Sequence, residues 1–301
     1  MSPFKSGFIT VVGEPNVGKS TFLNQVVKHK VAIVSQRPQT TRDIISGIYN
    51  DDDSQMIFID TPGIHEAKTR LGEYMTEAAL ATVRTVDVVL YMINAYEDYD
   101  EGHRKVLASL GTVSVPVLLV INKLDAIKDF RRLRETVEQY KAVFPFAGAF
   151  AISALTGENV PLLLEDIKKM LPEGPKFYPD GELTDRPETF LVRELIREKI
   201  LLLTRDEIPH SVMVTLDEMK KNAAKTTMRI LATIIVEKAN QKMIIIGAHG
   251  AMLKEIGTQA RLDIEQLLGE RVYLELFVKV EADWRNREYY LKNFGYKPDR
   301  N

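Results

Sequence analysis

At 301 residues, 45% of them hydrophobic and 27% charged, the chain is long enough for two separately cored domains of ordinary globular composition. It has no cysteine, which excludes disulfides, thiolate metal sites and a cysteine nucleophile. The formal net charge of −2 is unevenly spread: from Arg186 onward 20 Lys and Arg stand against 17 Asp and Glu, before it 20 against 25, so the second half better suits a polyanion. No run approaches the ~18 apolar residues of a membrane span. The first residues lack an apolar stretch of the signal-peptide type, and a cytoplasmic protein is expected.

In chain order, an apolar run over 8–12 predicts a buried strand and 19–27 a helix. Between them Gly13-Glu14-Pro15-Asn16-Val17-Gly18-Lys19-Ser20 fits G-x-x-x-x-G-K-[ST]. In that strand–loop–helix setting the loop N–H groups and the helix N-terminus wrap phosphates. Lys19 can reach the outer phosphates and the Ser20 hydroxyl can bind Mg²⁺. A polar loop follows the apolar residues 31–34 and carries Gln39-Thr40-Thr41-Arg42-Asp43. A Thr hydroxyl there could bind Mg²⁺ when a γ-phosphate is present, ordering the loop in one nucleotide state only. A strand over 44–49 should pair with one over 55–59 through the turn 50–53.

That second strand ends in Asp60-Thr61-Pro62-Gly63. A carboxylate at a strand end can hold Mg²⁺ through water, and a Gly N–H can meet the terminal phosphate. Helices over 73–84, 103–110, 130–143 and 160–170 alternate with strands over 86–94, 115–122 and 149–153, the pattern of a parallel sheet covered on both faces. Asn122-Lys123-Leu124-Asp125 closes one of these strands. An Asp there can accept from guanine N1–H and N2–H₂, which adenine does not offer, and the Lys123 stem can cover the base. Ser153-Ala154, closing the next, can aim a backbone N–H at guanine O6.

The segment 171–181 has three Pro and two Gly and reads as an exposed linker. Beyond it a helix over 186–203, strands over 211–218 and 228–237, an apolar run 242–247, a helix over 251–268 and a strand over 271–280 give an α+β pattern. Between the apolar run and the helix lies Gly247-Ala248-His249-Gly250, a G-x-x-G loop of the kind that clamps a nucleic-acid backbone. Its central pair lacks Lys or Arg, and His is only partly charged near neutral pH. Phosphate attraction is therefore weak or comes from Lys242, Lys254 and Arg261.

The first-half motifs together resemble GTPases of the Era and MnmE type, where the Gln-Thr-Thr-Arg segment and Asp-Thr-Pro-Gly are the distinguishing marks. The resemblance, rather than geometry, favours Thr41 over Thr40 as the Mg²⁺ ligand. Ile64 stands where many signalling GTPases carry a Gln that orients water, so slow intrinsic hydrolysis is expected. His65, nearby, reads as a solvent-facing loop residue. Asn16 matches a loop Asn that in relatives helps bind K⁺. The order of elements around Gly247–Gly250 resembles a type II KH domain.

The whole order resembles the Era family of bacterial ribosome-assembly GTPases, including Thr204-Arg205-Asp206-Glu207-Ile208-Pro209-His210-Ser211 and the ending Ala282-Asp283-Trp284-Arg285…Phe294-Gly295-Tyr296. It implies an α/β P-loop GTPase domain with a mixed, mostly parallel sheet over 1–172, a linker over 173–185 and an α+β type II KH domain over 186–301. It also implies GTP and GDP as ligands, Mg²⁺ with K⁺ as a second cation, and a monomer. Its implied partners are the 3′ end of small-subunit ribosomal RNA, the 30S-type subunit and, peripherally, the inner membrane. An RNA chaperone whose nucleotide site hardly turns over is the alternative, kept open by Ile64. A small-molecule kinase is disfavoured by Asn122–Asp125 and Asp60–Gly63.

Overall fold

The structure, a computed structural model, describes residues 3–35, 37, 40–64, 69–97, 99–205, 208–222 and 226–296. The chain forms two compact units. One comprises Met1–Ala32, Thr41–Lys68 and Met75–Asp185, the other Ile33–Thr40, Thr69–Tyr74 and Arg186–Asn301.

The first unit is a six-stranded sheet in the order β2-β3-β1-β4-β5-β6. Its strands are β1 (Lys5–Val12), β2 (Ile45–Asn50), β3 (Ser54–Asp60), β4 (Val88–Asn94), β5 (Val117–Asn122) and β6 (Gly148–Ala151). All neighbours are parallel except β2 and β3, which form an antiparallel hairpin with Asn50 opposite Gln55. The hairpin turn is closed by Asp51 N–H to the Ser54 carbonyl at 3.0 Å and by Ser54 Oγ to Asp51 Oδ1 at 2.7 Å. Helices α1 (Lys19–Val27), α2 (Arg70–Val83), α3 (Glu101–Leu110) and α4 (Phe130–Val143) lie between the strands in the chain, and α5 (Val160–Met170) follows the last. β4 and β5 are buried almost throughout, as continuous apolar runs should be in a sheet covered on both faces. Because β1 lies between β3 and β4, the strand order switches direction there. In such sheets that switch marks the crevice at the carboxyl ends where ligands bind.

The segment expected as an exposed linker is also hydrogen-bonded to β2 and β3 of this sheet. The Gln55 side chain, fully buried, accepts from the N–H groups of Phe177 and Tyr178 at 2.7 and 2.9 Å and donates to the Tyr178 carbonyl. Ile48 N–H donates to the Leu183 carbonyl, and Ser46 Oγ to Asp185. The Pro and Gly residues keep it irregular and exposed, but its backbone groups find partners along β2 and β3.

The second unit packs α6 (Glu188–Leu203), a short α7 (Ile208–Ser211), α8 (Ala239–Ile246) and α9 (Ala251–Leu268) with a three-stranded sheet. Its strands are β7 (Met213–Lys221), β8 (Met228–Val236) and β9 (Val272–Val280), with β7 antiparallel and β9 parallel to β8. One core joins Ile196 and Ile200 of α6, Ile230, Ile234 and Val236 of β8, and Ile256, Ala260 and Ile264 of α9. The apolar run over 242–247 is thus the end of a helix. Gln241 caps its start, accepting from the N–H groups of Glu237 and Lys238 at 3.0 Å each. After a 3₁₀ turn comes α10 (Glu288–Asn293), and the described chain ends at Tyr296. Trp284 is fully buried and donates from Nε1 to the Ser211 carbonyl at 2.8 Å. No helix among the described residues is long and apolar enough to cross a membrane.

Candidate nucleotide and nucleic-acid sites

The phosphate loop spans the end of β1 and the start of α1, at the strand switch. Lys19 is buried, and its ammonium folds back to donate to the carbonyls of Gly13 at 3.0 Å and Glu14 at 2.8 Å. Burial pushes its pKa down to about 8, against the opposing pull of Asp60 and Glu14. Val17 is buried and Asn16 takes the left-handed conformation, φ 66°. Ile64 N–H reaches the Gly13 carbonyl at 3.3 Å, tying the segment after β3 to the phosphate loop.

Three oxygens converge beside the loop. Ser20 Oγ donates to Asp60 Oδ2 at 2.6 Å, and Thr41 Oγ1 lies 2.8 Å from Ser20 Oγ and 3.4 Å from the same carboxylate. Thr40 is not among them. It belongs to the second unit, where its hydroxyl donates to the Arg37 carbonyl at 2.6 Å and its own carbonyl accepts from Arg197. Asp60 is fully buried, its Oδ1 has no hydrogen-bond partner, and burial raises its pKa despite Lys19, Ser20 and Thr41. A buried carboxylate oxygen beside two hydroxyls is the donor set a hard divalent cation takes.

Thr61 is anchored by its hydroxyl to the Val11 carbonyl at 2.9 Å. Pro62 and Gly63 are buried, and the Ile64 side chain packs against the core cluster around Tyr91 and Val106. Arg42 is buried and Asp43 half-buried, whereas Gln39 and His65 lie outside the described residues.

The two predicted base-contacting loops meet, and Asn122 is what joins them. Its Nδ2 donates to the Val17 carbonyl at 2.8 Å and its Oδ1 accepts the Ala154 N–H at 2.9 Å. The Ala154 N–H is therefore directed at Asn122, and both ends of the Asn122 amide are used within the protein. Lys123, at φ 68°, turns the chain into a 3₁₀ turn that carries Asp125. The Ser153 hydroxyl donates to Asp125 Oδ1, which orients that carboxylate.

In the second unit, Gly247 and Gly250 have φ of 72° and 79°, and the exposed His249 takes 51°. A Cβ on Gly247 would lie 2.8 Å from the Met252 nitrogen, so the loop closes on α9 only with glycine there. Ala248 is exposed. A groove of about 400 Å³ runs from Gly250 between α9 and β9, with Lys254, Gly257 and Arg261 on one wall and Leu274 and Leu276 on the other. Lys254 is exposed, while Arg261 is paired with Glu265 at 3.1 Å and is a partly neutralised cation. The half-buried Lys242, on α8, does not line the groove. Leu274 and Leu276 were not singled out from the sequence, although their alternation in the strand over 271–280 signals one face.

A family model described as a 50S ribosome-binding GTPase matches residues 8–123, and a KH-domain model matches residues 207–285. The chain is 41% identical to a point variant of Aquifex aeolicus Era bound to GDP·AlF₄⁻, covering 97% of this chain and 99% of that one with a TM-score of 0.94. Identity and coverage are the same for Era in complex with MgGDPNP and nucleotides 1506–1542 of 16S ribosomal RNA, with a TM-score of 0.95. The phosphate loop, the joined base loops and the Gly-x-x-Gly groove thus fall within a match that spans both units. The chain belongs to the Era family of GTPases with a C-terminal KH domain.

Proposed function

We propose that this chain is a GTP-hydrolysing switch that binds small-subunit ribosomal RNA near its 3′ end and assists assembly of the small subunit. One observation carries the reading: a nucleotide cradle and a Gly-x-x-Gly groove lie in a single chain that matches Era over 97% of its length. The relatives were seen with a guanine nucleotide, Mg²⁺ and the ribosomal RNA end, which supports the same ligands here.

Within the nucleotide site, the Gly13–Ser20 loop wraps the phosphates and Lys19 exchanges two loop carbonyls for phosphate oxygens. Ser20, Thr41 and Asp60 would hold Mg²⁺, which when bound would neutralise phosphate charge. Asp60 Oδ1, buried and without a hydrogen-bond partner, supports that assignment. Asp125, held by Ser153, accepts from guanine N1–H and N2–H₂, and Lys123 covers the base. Asn122 positions the loops that do so. Ile64 packs on the core and offers no hydrogen bond to water. The attacking water would then be placed by backbone around Gly63 or by a bound partner, Asn16 would help hold K⁺, and slow intrinsic turnover is expected. Thr41 already stands beside Ser20 and Asp60, and a γ-phosphate would order the Gln39–Asp43 segment around it.

On the RNA side, Gly247–Gly250 clamps the backbone while Lys254, and Arg261 once released from Glu265, meet phosphates along the groove. Lys242 acts from outside it. We also read the protein as a cytoplasmic monomer that touches the inner membrane peripherally, with residues 1–172, 173–185 and 186–301 as GTPase domain, linker and KH domain.

The test is binding of a labelled single-stranded RNA from the small-subunit 3′ end with a GTP analogue, GDP or no nucleotide, alongside multiple-turnover phosphate release. Nucleotide-dependent RNA binding with turnover is expected. The packing of Ile64 favours one second reading, a nucleotide-gated RNA chaperone, and RNA binding without turnover in any partner's presence would select it. RNA affinity indifferent to nucleotide would refute the switch.

A further inference from the structure

Between the phosphate loop and α3 lies a second polar cluster that the nucleotide reading leaves unused. The Glu14 and Glu97 carboxylates and the His103 imidazole bring one ligand atom each within 4.8 Å of one another. His103, in the first turn of α3, is 2% exposed. Its Nε2 is buried and makes no hydrogen bond; Glu97 Oε2 stands 4.0 Å away, beyond hydrogen-bond reach.

The other imidazole nitrogen fixes which proton is where. His103 Nδ1 lies 2.9 Å from Asp100 Oδ1 and 3.4 Å from the Asp100 backbone nitrogen. The shorter, charge-assisted contact is the stronger, so Nδ1 carries the proton and donates to Asp100. That leaves the Nε2 lone pair on the side of the two glutamates. A carboxylate that holds Nδ1–H and frees Nε2 is the outer-shell arrangement of metal-binding histidines.

The surroundings are shaped to keep the glutamates there. Glu14 Oε1 lies in the space where Gly102 would carry a Cβ, so a side chain at 102 would make the Glu14 carboxylate shift. Glu97 Oε2 accepts the Asn94 N–H at 3.2 Å. The hydroxyls of Tyr91 and Tyr140, both fully buried, also lack hydrogen-bond partners, and the Tyr140 ring meets His103 edge-on at 5.6 Å. Burial raises the pKa of Glu14.

We propose that Glu14, Glu97 and His103 form a binding site for a divalent first-row metal ion of the Zn²⁺ type, distinct from the Mg²⁺ position at the nucleotide. One nitrogen and two carboxylate oxygens leave a fourth position for water, and imidazole favours Zn²⁺-like ions over Mg²⁺. Bonds of about 2.0–2.1 Å put tetrahedral donors about 3.4 Å apart. The donors as found, up to 4.8 Å apart, need close by up to about 1.4 Å, a shift that glutamate rotamers supply. Because Glu14 belongs to the phosphate loop and its carbonyl accepts from Lys19, a metal here would pin that loop to α3.

The experiment is titration of the full chain with Zn²⁺ by calorimetry and with Co²⁺ by visible absorption, in an excess of Mg²⁺ and GDP to occupy the nucleotide site. One ion per chain is expected, with a Co²⁺ spectrum showing nitrogen ligation. Glu97→Gln, at a side chain 33% exposed and tolerant of change, should weaken binding at least tenfold, as should His103→Gln. Asp100→Asn should weaken it roughly 10–100-fold through His103 alone. Circular dichroism checks that each variant folds. No saturable binding to the unmodified chain, or an affinity unchanged in Glu97→Gln and His103→Gln, means that water serves the His103 nitrogen and overturns the proposal.

Discussion

Asn122→Ala is the sharpest single test of how the nucleotide site is built. The wild-type side chain is 2% exposed and satisfies two groups, the Val17 carbonyl and the Ala154 N–H, themselves in residues no more than 2% exposed. Truncation leaves both without partners away from water. At about 1–3 kcal/mol per orphaned group the cost is roughly 2–6 kcal/mol. For a unit of this size about 2–4 °C of melting temperature goes with each kcal/mol, so a loss of roughly 5–20 °C is expected. GDP affinity, read with a fluorescent nucleotide, should fall too, because the phosphate loop and the Ala154 loop lose their shared tether. Asn122→Asp separates the two bonds: it keeps an oxygen for Ala154 N–H but turns an acceptor on the Val17 carbonyl, so it should be at least as harmful as Ala. Calorimetry must follow the melting, since the single Trp of the chain, Trp284, sits in the second unit. A loss below about 2 °C, the effect of under one kcal/mol, with unchanged GDP affinity would refute the tether.

Three further outcomes are expected. With the Lys19 pKa lowered from 10.5 to about 8, the folded, nucleotide-free chain binds fewer protons than the unfolded one between those values. Its stability therefore rises with pH across that window, the penalty being fully present below about pH 8. Phosphate restores the charge, so GDP binding should take up protons above that pH and weaken by up to about tenfold per pH unit, measured by calorimetry in buffers of differing ionisation heat. Gly247→Ala, which meets both a positive φ and the Met252 backbone, should abolish RNA binding; Gly250→Ala, with open space around it, should carry only a left-handed penalty of about 1–2 kcal/mol. Equal RNA losses in the two would count against the closure argument, and GTP hydrolysis without RNA should be unaffected in both. Trp284→Phe removes the indole donor to the Ser211 carbonyl and should destabilise the second unit by roughly 1–3 kcal/mol in denaturant titration followed by circular dichroism.

Much of the architecture is legible locally. Helices 19–27, 130–143 and 160–170 have their expected bounds, because apolar periodicity and flanking breakers agree there. The hairpin of β2 and β3 follows from two strand patterns separated by three aspartates. What the sequence hides is tertiary. The isoleucines at 244–246 carry no period of their own, and the helix over them rests on a cap from Gln241 and on burial of Ile245. That the exposed segment after α5 is also tied to the sheet is hidden because its partner, the buried Gln55 amide, lies 122 residues before Phe177. Nothing near Asn122 signals that its amide is engaged by two other loops. Glu14 and His103 stand on separate elements with no shared motif, so only the fold brings them together. Which of the two neighbouring threonines faces Asp60 is likewise invisible in the sequence; in the fold it is Thr41.

The bond from Trp284 to Ser211 also sets a clock. The two residues are 73 positions apart. A ribosome adding about 5–20 residues per second makes the carbonyl roughly 4–15 s before the indole that covers it. In the later part of that interval α9 and β9 are made, yet Trp284, fully buried in the finished unit, is still missing. A nascent chain would thus display its Gly-x-x-Gly loop before the unit behind it can lock. Firm grip on RNA would then be a property of finished molecules only, which keeps a half-made chain from holding on to the RNA of the machine that is making it.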